Sequence, residues 1–393
     1  MKKYLVASTA LLSALIAMPA QAELNLDLGG HFRGYGVYND NDVAGASTQD
    51  FELRRDTEVH FTGEATSDNG LTVGVHYEAM VGSELLTDEA YAYFAGNWGR
   101  VNLGSEDGAA YLLQVAAPSA DSNVDGLRTN IQSIGSTALD TTVPATAAQG
   151  AFGYTGVFSS SFGSNALTNT NNLILDYDHA DFQDTDRLTY LSPKFAGFQG
   201  GLSYAPQAGQ KVLGNGQAAP AADDDLNQFE NLWEAAVRWD GEFEGFGLSA
   251  GAGYSTASAE EESLVAGNLA GDLDTWNAGL NVAFQGFSVG GAYLNSETEV
   301  GAGAAAIDAE SDTWVVGAAW DNGPYHVGVS YLDQDIELAG GEIEADRWTL
   351  GAGYTYGPGM SLRGALAMGE TSENVTPTSE DFTQITVGTD IQF

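Results

Sequence analysis

The side chains able to do chemistry in this chain are imidazoles, guanidiniums and carboxylates. Cysteine is absent, which excludes thiolate metal sites and cysteine nucleophiles. Of the five histidines, His31, His60 and His76 lie near one another in the chain, while His179 and His326 stand apart. Imidazoles beside carboxylates are the material of metal sites and of acid–base catalysis. A hydrolase needs a Ser/His or Asp/His arrangement, and no motif for one is present, so the chain does not read as an enzyme. Gly251-Ala252-Gly253 looks like a phosphate loop only superficially, because no helix follows it. The arginines say more. Arg33, Arg54, Arg187, Arg238, Arg347 and Arg363 each fall on the polar parity of a segment in which polar and apolar residues alternate. Arg55 sits on the opposite parity.

Carboxylates dominate the charge, with 54 acidic against 13 basic residues and a formal net charge of −41. Nucleic-acid phosphates demand lysine and arginine, so a nucleic-acid partner is excluded. Asp223-Asp224-Asp225 and Glu260-Glu261-Glu262 are acidic runs. They read either as a solvated rim or as oxygen ligands for a hard cation, Ca²⁺ or Mg²⁺. Neither run has the spacing of a calcium loop. No other cofactor is implied.

These groups must be positioned by strands. Leu24, Leu26, Leu28, Phe32 and Tyr38 alternate with Asn25, Asp27, His31, Arg33 and Tyr35. The same period of two recurs through Trp276–Phe284 and Met360–Met368 and on to Phe393. Successive side chains of a strand point to opposite faces, so each block has one apolar face. His31, His60 and His76 fall on the polar parity of the first three strands. There they could line one wall, where a metal site is conceivable. The spacers between blocks alternate between short and long. Seven are short turns rich in glycine, proline and asparagine, such as Gln285-Gly286. Eight are long, near residues 39–50, 82–87, 107–184, 206–228, 257–271, 298–310, 336–344 and 371–380. Fifteen connections join sixteen strands, and an even count puts both ends on the short-turn side, where the first and last strands can pair.

That layout predicts an all-β fold: a transmembrane antiparallel β-barrel of sixteen strands with short periplasmic turns and long outer loops. Such a barrel leaves an aqueous lumen. A soluble sandwich or a surface adhesin also alternates, but sixteen apolar faces would require a very large soluble core. The tryptophans favour the membrane. Trp233, Trp239, Trp276, Trp314, Trp320 and Trp348 fall on apolar parity. Trp233 and Trp239 share a face, as do Trp314 and Trp320. At ~3.3 Å per residue, each pair spans about 20 Å along a strand, the separation expected of two interfacial girdles in an apolar band ~25 Å tall. A lipid-facing charge costs about 2–4 kcal/mol at the midplane, so polar parity places the arginines in water.

Residues 1–22 read as a cleavable secretory signal. Lys2 and Lys3 precede the apolar stretch Tyr4–Ala17, and Ala20-Gln21-Ala22 is a small-residue cleavage site. The stretch is shorter than the ~20 residues of a spanning helix. Residues 23–393 are then the barrel domain, with 107–184 as its third loop.

Two hairpins and the terminus resemble a known family. Ser192-Pro193-Lys194-Phe195-Ala196-Gly197-Phe198-Gln199-Gly200-Gly201-Leu202-Ser203-Tyr204-Ala205-Pro206 looks like the hairpin that follows the third loop in general porins of Gram-negative bacteria. Ala90-Tyr91-Ala92-Tyr93-Phe94-Ala95-Gly96-Asn97-Trp98-Gly99-Arg100-Val101-Asn102-Leu103-Gly104 resembles the hairpin that precedes it. Phe393 resembles the terminal aromatic that barrel-assembly machinery reads in such proteins. The resemblance implies a trimeric outer-membrane channel for passive diffusion of small hydrophilic solutes, in contact with lipopolysaccharide. It implies a third loop folded into the lumen as a constriction. Carried over, Arg33 and Arg54 form its basic wall, and Glu106, Asp107, Asp121 and Asp125 its acidic side. Arg187, Arg238, Arg347 and Arg363 are further lumen charges. The alternative for the arginines is pairing with lumen carboxylates such as Asp56 and Glu58. An acidic mouth predicts cation preference. A substrate-selective channel and a non-conducting surface barrel are the other readings of this fold. The third loop is longer than is usual in the family. If residues 1–22 are a signal, N-terminal sequencing of the exported protein starts at Glu23; a start at Met1 overturns that assignment.

Overall fold

The computed structural model describes residues 24–41, 50–82, 85–118, 177–179, 184–208, 229–259, 268–301, 307–338, 341–374 and 378–393. The strands in chain order are β1 (Leu24–Asn41), β2 (Phe51–Thr66), β3 (Thr72–Val81), β4 (Leu85–Gly96) and β5 (Gly99–Glu106). A single-turn helix, α1 (Ala109–Leu112), follows. Then come β6 (Thr185–Leu191), β7 (Phe198–Gln207), β8 (Phe229–Phe243), β9 (Phe246–Ala259), β10 (Asn268–Phe284) and β11 (Phe287–Gly301). The set closes with β12 (Ile307–Asn322), β13 (Tyr325–Leu338), β14 (Gly341–Gly357), β15 (Met360–Glu373) and β16 (Thr378–Gln392). Each strand pairs antiparallel with its sequence neighbours, and β1 pairs with β16, so the sheet is a closed barrel.

The seam is continuous. His31 stands opposite Gln392, and Asn41 stands opposite Phe382. Backbone bonds from Gly30 N to Phe393 O (3.0 Å) and from Phe393 N to Gly30 O (3.1 Å) extend it to the terminal residue. The short-turn end is made by tight reversals. At Gln285-Gly286 both residues have positive φ, 51° and 85°. This is the type I′ geometry that matches strand twist, and the second position favours glycine.

The outer face is apolar all round. Leu26, Leu53, Leu103, Leu202, Val237, Leu280, Val316, Leu350 and Val387 are all exposed there. A band of this size exposed to water would drive association; hydrocarbon is the medium it fits. No helix among the described residues is long and apolar enough to cross a membrane, and the crossing is made by strands.

At the long-loop end the strands run further than the spacers suggest. Pairing continues to Val81↔Leu85 and to Leu338↔Gly341, so the connections near 82–87 and 336–344 are short. Acidic pairs such as Asp335↔Glu344 and Glu297↔Glu310 lie on these extensions. Apolar alternation fades where the strands leave lipid, but backbone pairing needs no apolar face and goes on. A spanning strand needs only about 9–11 residues, and β12 has 16.

Val316 lies on the outer face between Trp314 and Trp320. The expected outcome of Val316→Arg is a loss of roughly 2–4 kcal/mol in folding into lipid bilayers. Urea titration of the variant in vesicles measures it, and an unchanged midpoint would place this face outside the hydrocarbon.

Candidate functional site

Past Glu106 the chain turns into the lumen, and residues 107–118 lie along the inner wall of one half of the barrel. Wall side chains take up their peptide groups. Ala109 N donates to Ser203 Oγ (2.8 Å) and Ala110 N to Glu234 Oε2 (3.1 Å). Arg238 Nη1 donates to Gln114 O (3.0 Å), and Asn281 Nδ2 to Ala116 O (2.6 Å). Buried backbone groups without such partners would be costly. The approach is close enough to require glycine on the wall. A Cβ on Gly279 would stand 1.7 Å from Val115 O, and one on Gly317 would stand 2.1 Å from Pro118 O.

The returning end of the third loop stacks on this segment. Tyr177 OH donates to Val115 O (3.3 Å), and Gln114 Nε2 donates to Asp178 Oδ1 (2.7 Å). His179 lies between Ser255 Oγ (2.8 Å) and Asn277 Nδ2 (2.8 Å). Tyr177 and Ala117 complete a buried apolar cluster with Ala292, Val315, Leu332, Ala345, Ala367 and Phe382. Ala117 and Tyr177, from the two described ends of the third loop, thus pack inside the barrel on an apolar patch of β11 to β16. Arg187 and Glu234 anchor its origin. Their side chains are almost fully buried, at 1% and 3% exposure, with Arg187 Nη1 2.5 Å from Glu234 Oε1. Glu234 Oε2 holds α1, so one carboxylate ties wall to loop.

The facing wall, on β1 to β4, is polar and partly exposed, and charges on β15 and β16 adjoin it. Arg33 Nη1 donates to Asp56 Oδ2 (3.2 Å), and its Nε lies 3.7 Å from Asp390 Oδ2. Arg363 Nη2 stands 3.0 Å from the same Asp390 oxygen as an ion pair. Arg54 pairs with Glu52 of its own strand (2.7 Å) and is 36% exposed. Next to these, His31, Glu58, His60, Glu78 and His76 form a row across β1, β2 and β3. Ring centroids are 6.0 Å apart from His31 to His60 and again from His60 to His76. Tyr91 continues the row 5.3 Å from His76. Arg100 then stacks over Tyr93 at 4.1 Å.

Arg33, Arg54, Arg187, Arg238, Arg347 and Arg363 all lie on the lumen side. They differ in what they meet. Arg54 is open to the lumen. Arg187 is not solvated there but buried beneath the third loop, and Arg238 grips that loop while pairing with Asp240 (3.0 Å). The expectation that polar parity means water fails for Arg187, because residues 107–112 cover it, while the Arg238 side chain stays one-third exposed. Arg347 is buried on the same parity. Glu106 ends β5, buried, and accepts from Asn102 Nδ2 (2.5 Å), so it is turned into the wall. Asp107 is partly exposed at the loop's start. Asp121, Asp125, Asp223, Asp224, Asp225 and residues 1–22 lie outside the described residues. Arg55 is exposed on the outer face and donates to Val81 O (3.0 Å), near the long-loop end of β3. Arg100 was missed by the parity reading because it adjoins a turn; its alternation with Asn102 was the available signal.

The aromatics form two levels outside. Tyr204 with Trp233 (4.4 Å), Trp276 with Tyr293 (4.9 Å), and Trp314 with Tyr331 (5.2 Å), itself against Trp348 (4.7 Å), make one. Phe198 with Trp239 (6.2 Å), Phe287 with Trp320 (6.3 Å) and Tyr325 with Tyr354 (5.3 Å) make the other.

An apolar outside, a charged inside and a loop laid along the inner wall define a channel-forming barrel of the bacterial outer-membrane type. The chain belongs to the Gram-negative porin family, whose model matches residues 7–374. The anion-selective porin from Comamonas acidovorans has a similar structure, with TM-score 0.65 and 18% identity over 94% of this chain and 100% of that one. OmpT of Vibrio cholerae in its trimer form is also similar, with TM-score 0.57 and 12% identity over 94% of this chain and 99% of that one. A mutant of the Rh. blastica porin matches at TM-score 0.53 and 16% identity, over 94% and 100%. At these identities the structures show the shared fold. No curated protein sequence matches significantly. Family and fold make the protein an outer-membrane channel for small solutes.

Glu234→Ala removes the carboxylate that faces the buried Arg187 guanidinium and the acceptor that holds Ala110 N of α1. The expected cost is about 3–5 kcal/mol, read as a lower urea midpoint of the refolded protein, with flickering single-channel currents as the loop loosens. The double variant Arg187→Met, Glu234→Leu is expected to recover most of the stability but not the quiet current. An unchanged midpoint in Glu234→Ala would remove this pair as the loop's anchor.

Proposed function

We propose that the channel works by passive diffusion and prefers cations. The observation that carries this is the uncovered wall. On β2, β3 and β4 the lumen parity holds Glu52, Asp56, Glu58, Glu64, Glu78 and Glu89 against a single arginine, Arg54. The net charge of −41 adds a negative field at the mouth, which concentrates cations and excludes anions. The anion selectivity named for the Comamonas acidovorans porin belongs to that protein.

In this reading the constriction lies between the uncovered wall and the third loop. Arg33 and Arg54 supply its basic side, with Arg54 the more open of the two. Asp107, Asp121 and Asp125 supply its acidic side, and Glu106 acts from within the wall. Trimerisation is part of the proposal, supported by the trimer form of OmpT among the similar structures. So are lipopolysaccharide contacts, a cleaved signal over residues 1–22, and recognition of Phe393 by the assembly machinery. Asp223, Asp224 and Asp225 are the candidate Ca²⁺ or Mg²⁺ ligands at the rim. The aromatic levels would then sit at the two membrane interfaces, where ring edges hydrogen-bond and ring faces stay apolar.

Reversal potentials across planar bilayers in a KCl gradient are expected to take the sign of potassium preference. The preference should weaken as ionic strength rises and screening shortens the field. A chloride-preferring sign would overturn the assignment. The packing of residues 107–118 and 177–179 against the inner wall favours a second reading, a substrate-selective channel. Saturable block of the current by one solute class would mark it.

A further inference from the structure

We propose that the uncovered lumen wall carries a transition-metal site, made by His60, His76 and Glu78, that takes Zn²⁺ or a similar borderline divalent ion. The ligands come from adjacent strands in register. His60 on β2 stands directly opposite Glu78 on β3, and Thr62 stands opposite His76. All their side chains lie on the lumen parity. Glu78 Oε1 is 2.7 Å from His76 Nε2 and 3.5 Å from His60 Nδ1. Three atoms so placed converge on one point. A tetrahedral zinc with bonds of about 2.0–2.2 Å has ligand–ligand edges near 3.4 Å. The Glu78–His60 separation matches that edge, the Glu78–His76 separation is shorter, and all three ligand atoms lie within 4.8 Å of one another, so side-chain rotation suffices to bring them around one ion.

The outer partners favour the same point. A metal on His60 Nδ1 needs the Nε2 proton held elsewhere, and Glu58 Oε2 lies 3.1 Å from Nε2. A metal on His76 Nε2 needs Nδ1 protonated, and Thr62 Oγ1 lies 2.7 Å from Nδ1. A hydroxyl accepts or donates, so Thr62 serves the histidine with and without the ion. Ligating histidines usually have their second nitrogen fixed by such an oxygen. His31 extends the cluster. Its Nδ1 lies 3.7 Å from Glu58 Oε2, while Asp56 Oδ2 holds its Nε2 at 3.0 Å. Glu58 is therefore kept in place from both sides.

The donor set selects the ion. Two imidazoles and a carboxylate suit zinc, copper or nickel, whereas Ca²⁺ and Mg²⁺ prefer oxygen alone. Three protein ligands leave a fourth position, and it opens toward the lumen. His60, His76 and Glu78 side chains are 30%, 16% and 18% exposed, so solvent reaches them. Every group of described residues with metal-ligand geometry that contains two histidines includes His60. A solute ion passing through the channel would meet this site on the wall that faces the third loop.

The site rests on side-chain geometry and not on the channel reading, so binding and conduction are measured separately. The folded wild-type protein is titrated with ZnCl₂ by calorimetry, with Mg²⁺ in excess to occupy acidic surface groups. One zinc per chain with half-saturation in the micromolar range is expected. His60→Gln and His76→Gln are each expected to lose more affinity than the roughly 10–100-fold that loss of an outer partner costs. Thr62→Val should fall within that range. No binding above the Mg²⁺ background, or unchanged affinity in both histidine variants, overturns the proposal. Zinc K-edge absorption on the wild-type complex gives a readout independent of variant folding. Scattering from two imidazoles is expected, and a shell of oxygen alone overturns the site. A separate current recording with Zn²⁺ is expected to show reduced conductance, and a null result there with binding intact would count against the channel reading instead.

Discussion

Closure of the sheet is the constraint on which the rest depends. In hydrocarbon there is no water to pair with a free backbone group, so a sheet that crosses lipid has no tolerable edge. The β1–β16 seam removes it, down to the paired ends at Gly30 and Phe393. Once the ring is closed, every residue faces either lipid or lumen, and neighbours along a strand must differ. The strict alternation of the chain is the chemical trace of that geometry. It also explains why nearly all arginines share one parity, and why Arg55, the exception, sits near the long-loop end with its charge on a backbone carbonyl.

A barrel of this size encloses more space than its own side chains fill, and the described ends of the third loop lie against one side of it. Its docking surface is built like a protein core. The Tyr177 and Phe382 cluster supplies apolar burial, the Arg187–Glu234 pair supplies buried charge, and glycines at 279 and 317 let backbone meet backbone. A buried ion pair contributes little net stability when both partners are present, but breaking it is costly. That asymmetry suits an anchor, because it penalises a loosened loop more than it rewards a docked one. Docking leaves the lumen two-sided. One wall is covered and tightly packed, and the other keeps its histidines, carboxylates and Arg54 in contact with water.

The same residue type therefore has two physical roles. Arg238 and Arg187 fasten a loop, while Arg54 remains open to the lumen. Acidic residues divide likewise: Glu234 and Glu106 are buried and bonded, whereas Glu78 and Glu58 are held by histidines beside solvent. What a charge does in this lumen follows from which wall carries it.

Period two, turn chemistry and the parity of arginine and tryptophan are properties of neighbouring residues, and a single strand's geometry dictates them. For that reason the sixteen strands, the closed barrel and the shared parity of Arg33, Arg54, Arg187, Arg238, Arg347 and Arg363 were legible in the chain alone. Parity names a face but not a height, a register or a neighbour across the lumen. That Arg187 lies beneath α1, that Glu106 turns into the wall, and that His60 stands opposite Glu78 depend on strand register and on where a loop of distant sequence comes to rest. Those contacts join residues far apart in the chain, so only the closed tertiary structure decided them.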